Sequence, residues 1–156
     1  MEKKFELTEE FIINNSGVKL YRIKALKDFS DVKKGDLGGY VLVERNLSQF
    51  GNAWVYGDAQ VYGNAWIYDN AWVYGDAQVY DNAWVYGDAK VCGNAWICGN
   101  AKVYGDAWVY DNAWVHGDAQ VCGNAKVYGD AWVYDNAWVC GNAKVYGDVI
   151  ASGERD

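Results

Sequence analysis

From Gly51 to Tyr146 the chain repeats one six-residue phrase sixteen times without a break, and a degenerate copy, GDVIAS, follows. Each copy reads Gly or Asp, Asn or Asp, Ala, then Trp, Gln or Lys, then Val or Ile, and last Tyr, Cys or His. Six residues are too few for a hairpin of two elements, so each copy supplies one short strand and one corner. Chain length then sets the number of stacked turns rather than the size of a globular core.

The variation within the phrase locates its inside. Position four accepts Trp54, Gln60 or Lys90 between the same Ala and Val. A side chain that can be Lys points to solvent, because Lys is almost never fully buried without a partner. Alternation along a strand then turns the invariant Ala of position three and the Val or Ile of position five inward, and positions four and six outward. Gly and Asn or Asp at positions one and two are expected to form the corner, since they tolerate left-handed backbone geometry. A small Ala beside a Val leaves a narrow interior, which fits a triangular coil of three strands and eighteen residues.

Val-Tyr-Gly-Asn-Ala-Trp and its variants resemble the hexapeptide repeat of left-handed parallel β-helix proteins, in which an aliphatic residue is followed four positions later by a small one. The lead-in ALKDFSDVKKGDLGGYV, followed by NLSQFGNAWVYGDA, is similar to the start of YdcK-like hexapeptide-repeat proteins, a largely uncharacterised group of bacterial and phage genomes. The resemblance implies an all-β, single-stranded left-handed parallel β-helix of about six coils, and it is the sole ground for a phage association. The chain is expected to divide into a β-rich capping segment (1–38), the hexapeptide β-helix (39–152) and a charged tail (153–156). Within the cap, KFELT, FII and VKLYRIKAL read as short strands around an NNSG turn.

Residues eighteen apart should stack, so position four writes three outer columns. One holds Trp54, Trp72, Lys90, Trp108, Lys126 and Lys144; another Gln60, Gln78, Trp96, Trp114 and Trp132; the last Trp66, Trp84, Lys102, Gln120 and Trp138. Trp96, Trp114 and Trp132 run uninterrupted and are the candidate contact residues. A solenoid must also protect its terminal coils. In GDVIAS, Val149 is expected in the inward Ala slot and Ala151 in the inward Val slot. Val149 and Ile150 therefore mark a weak C-terminal coil, expected to pair with a second copy or a protein partner.

The net charge of -7 is unevenly distributed: residues 51–148 carry four Lys against eleven Asp, while residues 1–50 carry nine Lys and Arg against eight Asp and Glu. An acidic rod disfavours direct nucleic-acid binding, which depends on clustered cations. It leaves open a rod that mimics nucleic acid to inhibit a DNA-binding protein. No apolar run reaches signal-peptide or membrane-span length, and a cytoplasmic location is expected. The four Cys all occupy position six and read as free thiols. Cys122 and Cys140 lie within disulfide reach, but parallel in-register side chains predict strain.

The resemblance also raises acyl transfer, since many left-handed β-helix proteins are trimeric acyltransferases with a His base and a projecting loop. Here no loop interrupts the hexads, and the single His, His116, occupies a slot that Tyr fills elsewhere. The Cys98–His116 and Cys122–Cys140 neighbours fall on different faces and do not converge on one metal ion. Sugar stacking on the outward aromatics would need polar groups beside them, and positions four and six supply none that converge. No catalytic, cofactor or metal-ligating residue is assigned. The expected function is a non-catalytic scaffold or protein-interaction rod that self-associates through its C-terminal coil.

Overall fold

Every complete hexad becomes one strand at its fourth and fifth positions. In a computed structural model describing residues 2–147, 149–150 and 154–155, β1 spans Phe5–Ile13, β2 Lys19–Ala25 and β3 Leu37–Val41. The first three hexads give β4 (Trp54–Val55), β5 (Gln60–Val61) and β6 (Trp66–Ile67). Each of these pairs in parallel with the strand eighteen residues on: Trp54 with Trp72, Gln60 with Gln78, Trp66 with Trp84. Repetition builds three stacks of parallel strands, wound as a solenoid of about six turns; two are sheets of six strands, and the third is extended by β1, β2 and β3 into a mixed sheet of nine.

The inside is as the hexad predicts. Each position-three Ala from Ala53 to Ala137, and each position-five Val or Ile from Val55 to Val139, is at most 1% exposed. Amide N–H groups of one coil donate to carbonyls of the next, as from Tyr56 to Val73 (2.8 Å) and from Tyr62 to Val79 (3.0 Å). The position-three and position-five carbonyls of the first coil therefore point toward the N-terminal end.

The corner departs from expectation in one respect. Among the described residues of the hexads, left-handed geometry falls on position one and not on position two. Gly57 has φ 57° and Asp69 has φ 61°. A non-glycine residue in this region costs about 1–2 kcal/mol. The Asp carboxylates offset part of it by accepting an amide N–H from the coil above: Gly87 N to Asp69 Oδ2, Gly99 N to Asp81 Oδ2 and Gly129 N to Asp111 Oδ2, each 3.1 Å.

The N-terminal segment is an antiparallel sheet that turns into a coil. KFELT and FII form the single strand β1, with an irregular register between Leu7 and Phe11 where it pairs with β2. The connecting turn is held by Asn14 Oδ1, which accepts from Ser16 N (2.9 Å) and Val18 N (3.0 Å). The third strand, β3, is antiparallel to β2 and parallel to β5, so it converts one pairing mode into the other. Gly39 makes that approach possible: a Cβ there would lie 2.7 Å from Ala59 O, too close for any side chain.

This cap closes the carbonyl edge of the first coil on all three sides. Tyr40 N donates to Ala59 O (2.9 Å), Lys4 Nζ to Ala53 O (2.7 Å), and Asn46 Nδ2 to Ala65 O (2.9 Å). Lys4 and Asn46 are fully buried. Trp54, expected on the outer surface, is instead 1% exposed, with Phe5 and Phe29 packed against it edge-on. Cap residues brought from up to fifty positions away cover the slot that is open in every later coil.

The C-terminal register slips. Val149 pairs with Trp132 and Ile150 with Val133, a separation of seventeen rather than eighteen residues. Ile150, expected at an outward slot, is 6% exposed and joins the core, whereas Val149 moves from the inward Ala slot to the register of an outward Trp. One lost residue exchanges the two faces of a strand, and the large aliphatic at 150 gains the interior by it. Ala151 lies outside the described residues. Glu154–Arg155 pairs with Trp138–Val139, so the third sheet reaches into the segment read as a charged tail.

Candidate interaction surface

Outward positions divide the labour between two aromatic types. Position-six tyrosines stack face to face at the coil spacing: Tyr68 on Tyr86 (centroids 4.8 Å, 4° between planes), Tyr86 on Tyr104 (5.0 Å, 6°) and Tyr110 on Tyr128 (4.9 Å, 4°). Burial holds the Tyr68 and Tyr74 phenols up to about 12, with neighbouring Tyr86 and Cys92 adding to the respective shifts. These columns belong to the fold. Position-four indoles stand further out. Trp66, Trp84, Trp96, Trp108, Trp132 and Trp138 are each at least 36% exposed.

Trp96, Trp114 and Trp132 lie in register on adjacent strands of the nine-stranded sheet. Trp96 meets Trp114 edge-on at 5.7 Å, and Trp114 stacks on Trp132 at 5.1 Å and 8°. Their N–H groups turn back to position six: Trp114 Nε1 donates to Cys98 Sγ (3.3 Å) and Trp132 Nε1 to His116 Nε2. His116 is stacked on Tyr134, and its pKa is lowered by burial against the opposing pull of Asp135.

A third outward column, at position two, runs beside the indoles. Position two shares its side of the strand with position four, so Asn-Ala-Trp and Asp-Ala-Trp set a carboxamide or carboxylate beside each indole. The Asn side chains form one-way ladders, three of which end on Asp, as in Asn94 Nδ2 to Asn112 Oδ1 (3.4 Å) and Asn112 Nδ2 to Asp130 Oδ1 (3.3 Å). The outcome is a shallow groove on each of two sheets. One of about 460 Å³ is lined by Asp76, Gln78, Asn94, Trp96, Asn112 and Trp114. The other, about 400 Å³, includes Asn70, Trp72, Asp88, Lys90, Asp106 and Trp108. Two-residue alternation was the signal that could have found both.

Lysines separate the sheets. Lys90 Nζ lies between Trp72 and Trp108, 5.2 and 5.5 Å from their ring centroids; Lys102 lies over Trp84 (5.0 Å) and Lys126 over Trp108 (5.9 Å). The column of Trp96, Trp114 and Trp132 contains no Lys.

Of the other candidate residues, Val149 follows Trp132 in backbone register. Ile150 is in the core, and nothing of the Val149 side chain is described. Cys92 and Cys98 are free thiols as expected, but Cys122 and Cys140 form a disulfide between adjacent coils. Their Cα atoms are 4.5 Å apart, inside the range a disulfide spans. Stacking at the coil spacing thus overrides the expectation of free thiols for this pair.

With the coil geometry in view, the sequence model of the YdcK β-solenoid repeat matches residues 59–75, 77–93, 101–117 and 119–135. The solenoid belongs to the YdcK β-solenoid repeat family. No curated protein matches the sequence. Trp114 and Trp132 lie within matched repeats, whereas Trp96 falls in the gap 94–100 between two matches.

Proposed function

We propose that this YdcK-type solenoid is a non-catalytic rod that works by presenting its outer faces to a protein partner. The observation that carries the reading is the exposure of six indoles along three regular faces, after the tyrosine columns have taken the stacking role. A contiguous apolar face of this kind on a soluble chain marks an interaction surface.

Self-association through the C-terminal coil is the finer part of the proposal. Strands Lys144–Tyr146, Val149–Ile150 and Glu154–Arg155 are the last described in their sheets, and each pairs on one side only. Light scattering over a wide concentration range, on the chain and on a Val149→Glu, Ile150→Glu variant, tests it. Association lost in the variant supports pairing through this end. A monomer at every concentration removes self-pairing and leaves a different partner. Acyl transfer from an acyl thioester that disappears with His116→Ala would overturn the non-catalytic reading itself.

A further inference from the structure

We propose that the face formed by Trp96, Trp114 and Trp132 takes a basic segment of a partner protein, with Arg or Lys side chains lying on the indoles and against the neighbouring Asp and Asn column. The proposal rests on the interaction-rod reading and names the chemistry of the partner.

The chain contains its own examples of the contact. On the nine-stranded sheet, Tyr40 begins the column that continues through Gln60, Gln78, Trp96, Trp114 and Trp132. The Arg22 guanidinium lies over the Tyr40 ring, 4.4 Å from its centroid, and its Nη2 is 3.9 Å from the carboxylate of Asp58. Asp58 heads the position-two column that passes through Asp76, Asn94, Asn112 and Asp130. A cation between an aromatic face and a corner carboxylate is therefore already in place at one end of this sheet. Further along, the same two columns recur with larger rings and no cation.

The six-stranded sheet bearing Trp72 makes the same comparison. Its groove has the same composition, but Lys90 occupies the centre, between two indoles and beside Asp88 and Asp106. The Trp96 and Trp114 groove has Asp76, Asn94 and Asn112 at the corner and no internal ammonium. Trp114 is sandwiched, stacked on Trp132 and met edge-on by Trp96, so the face offers the ring surface of the more exposed Trp96 and Trp132 together with carboxylate oxygens. Both attract a cation, and the attraction strengthens as water is excluded. Guanidinium fits best, since it stacks on aromatic faces and is weakly hydrated. The -7 net charge adds longer-range attraction for a basic partner.

The test is a tryptophan-fluorescence titration of the intact chain at about 0.15 M salt, where longer-range attraction is screened. The probes are an alternating Arg-Ser peptide, the same peptide with Glu for Arg, and a β-1,4-linked glucose oligosaccharide. Trp114→Lys places an ammonium inside the column, as Lys90 does on the other sheet. Trp138→Lys makes the same charge change on the third sheet. The Arg peptide is expected to bind at least tenfold more tightly than the Glu peptide, to lose at least tenfold with Trp114→Lys, and to change less than twofold with Trp138→Lys. Equal losses in the two variants would reduce the effect to general attraction by an acidic rod and overturn the proposal. So would no Arg-peptide binding, or tighter binding of the oligosaccharide. None of these outcomes bears on the acyl-transfer assay that tests the rod reading.

Discussion

Lys4 and Ala53, 49 residues apart in sequence, are joined by a 2.7 Å hydrogen bond from the Lys4 ammonium to the Ala53 carbonyl, in a site with no solvent exposure at Lys4. The bond occupies an acceptor that a preceding coil fills everywhere else in this sheet. Lys4→Met keeps much of the volume and leaves that carbonyl without a donor. It is expected to lower unfolding free energy in urea by about 1–3 kcal/mol, the usual penalty for an unsatisfied buried polar group. Lys3→Met, at an exposed ion pair with Glu44, is the control and should change stability by less than about 1 kcal/mol.

Stability should vary with alkaline pH in two opposing ways. Burial, then the nearby Lys27 charge, lowers the Lys4 pKa from 10.5 to about 8. Between those values the unfolded chain binds more protons than the folded one, so this contribution rises with pH. Tyr68 and Tyr74 are raised from 10.0 to about 12, so above pH 10 the folded chain holds more protons and their contribution falls. Urea midpoints measured across this range should climb from about pH 8 and turn over near pH 10. In Lys4→Met the climb should vanish and the fall remain.

The interior should reject volume at position three. Ala95 is fully buried beside Ile97, in a coil whose width is set by the Ala and Val pair. Ala95→Leu is expected to destabilise by about 1–3 kcal/mol or more. Lys144→Leu, at an exposed outward slot of the same kind, should stay within about 0.5 kcal/mol. Thermal melts of the two variants compare them directly.

Reducing the Cys122–Cys140 bond should loosen the last coils before the rest. The bond closes a loop of eighteen residues in the unfolded chain, for which loop entropy gives about 3 kcal/mol. Hydrogen exchange with and without reductant should show faster exchange at Cys122 N, Asn124 N and Lys126 N, and little change at Gln60 N and Tyr62 N. Uniform acceleration along the rod would contradict a local clip.

Most of the coil was legible because the hexad overdetermines it: Lys90 can replace Trp72 only on the outside, and Ala never varies only where there is no room. The cap was less legible. Nothing local to Lys4 or Asn46 announces that each will donate to a carbonyl of the first coil, because the demand is created by strands that come later in the chain. Trp54 was misplaced for the same reason, since its own hexad differs from that of Trp72 only in Gly for Asp at the corner. The slip at Ile150 escaped because a period tells where residues would fall if spacing held, and one missing residue hands the interior to the larger aliphatic. As for the candidate surface, Trp96, Trp114 and Trp132 were readable as a column. The Asp and Asn beside them were assigned wholly to the corner, which hid their second role as neighbours of the indoles.

The parallel stacking of the coils also gives the rod an order of construction. The N-terminal edge of the first coil is met by residues of the cap, and each finished coil presents a strand edge of N–H and C=O groups that only later residues can meet. A chain leaving the ribosome can therefore complete its starting end first and add turns as they emerge, each docking on a template already in place. No coil has to wait for the far terminus, and a shorter or longer array of the same phrase would begin to fold from the same foundation.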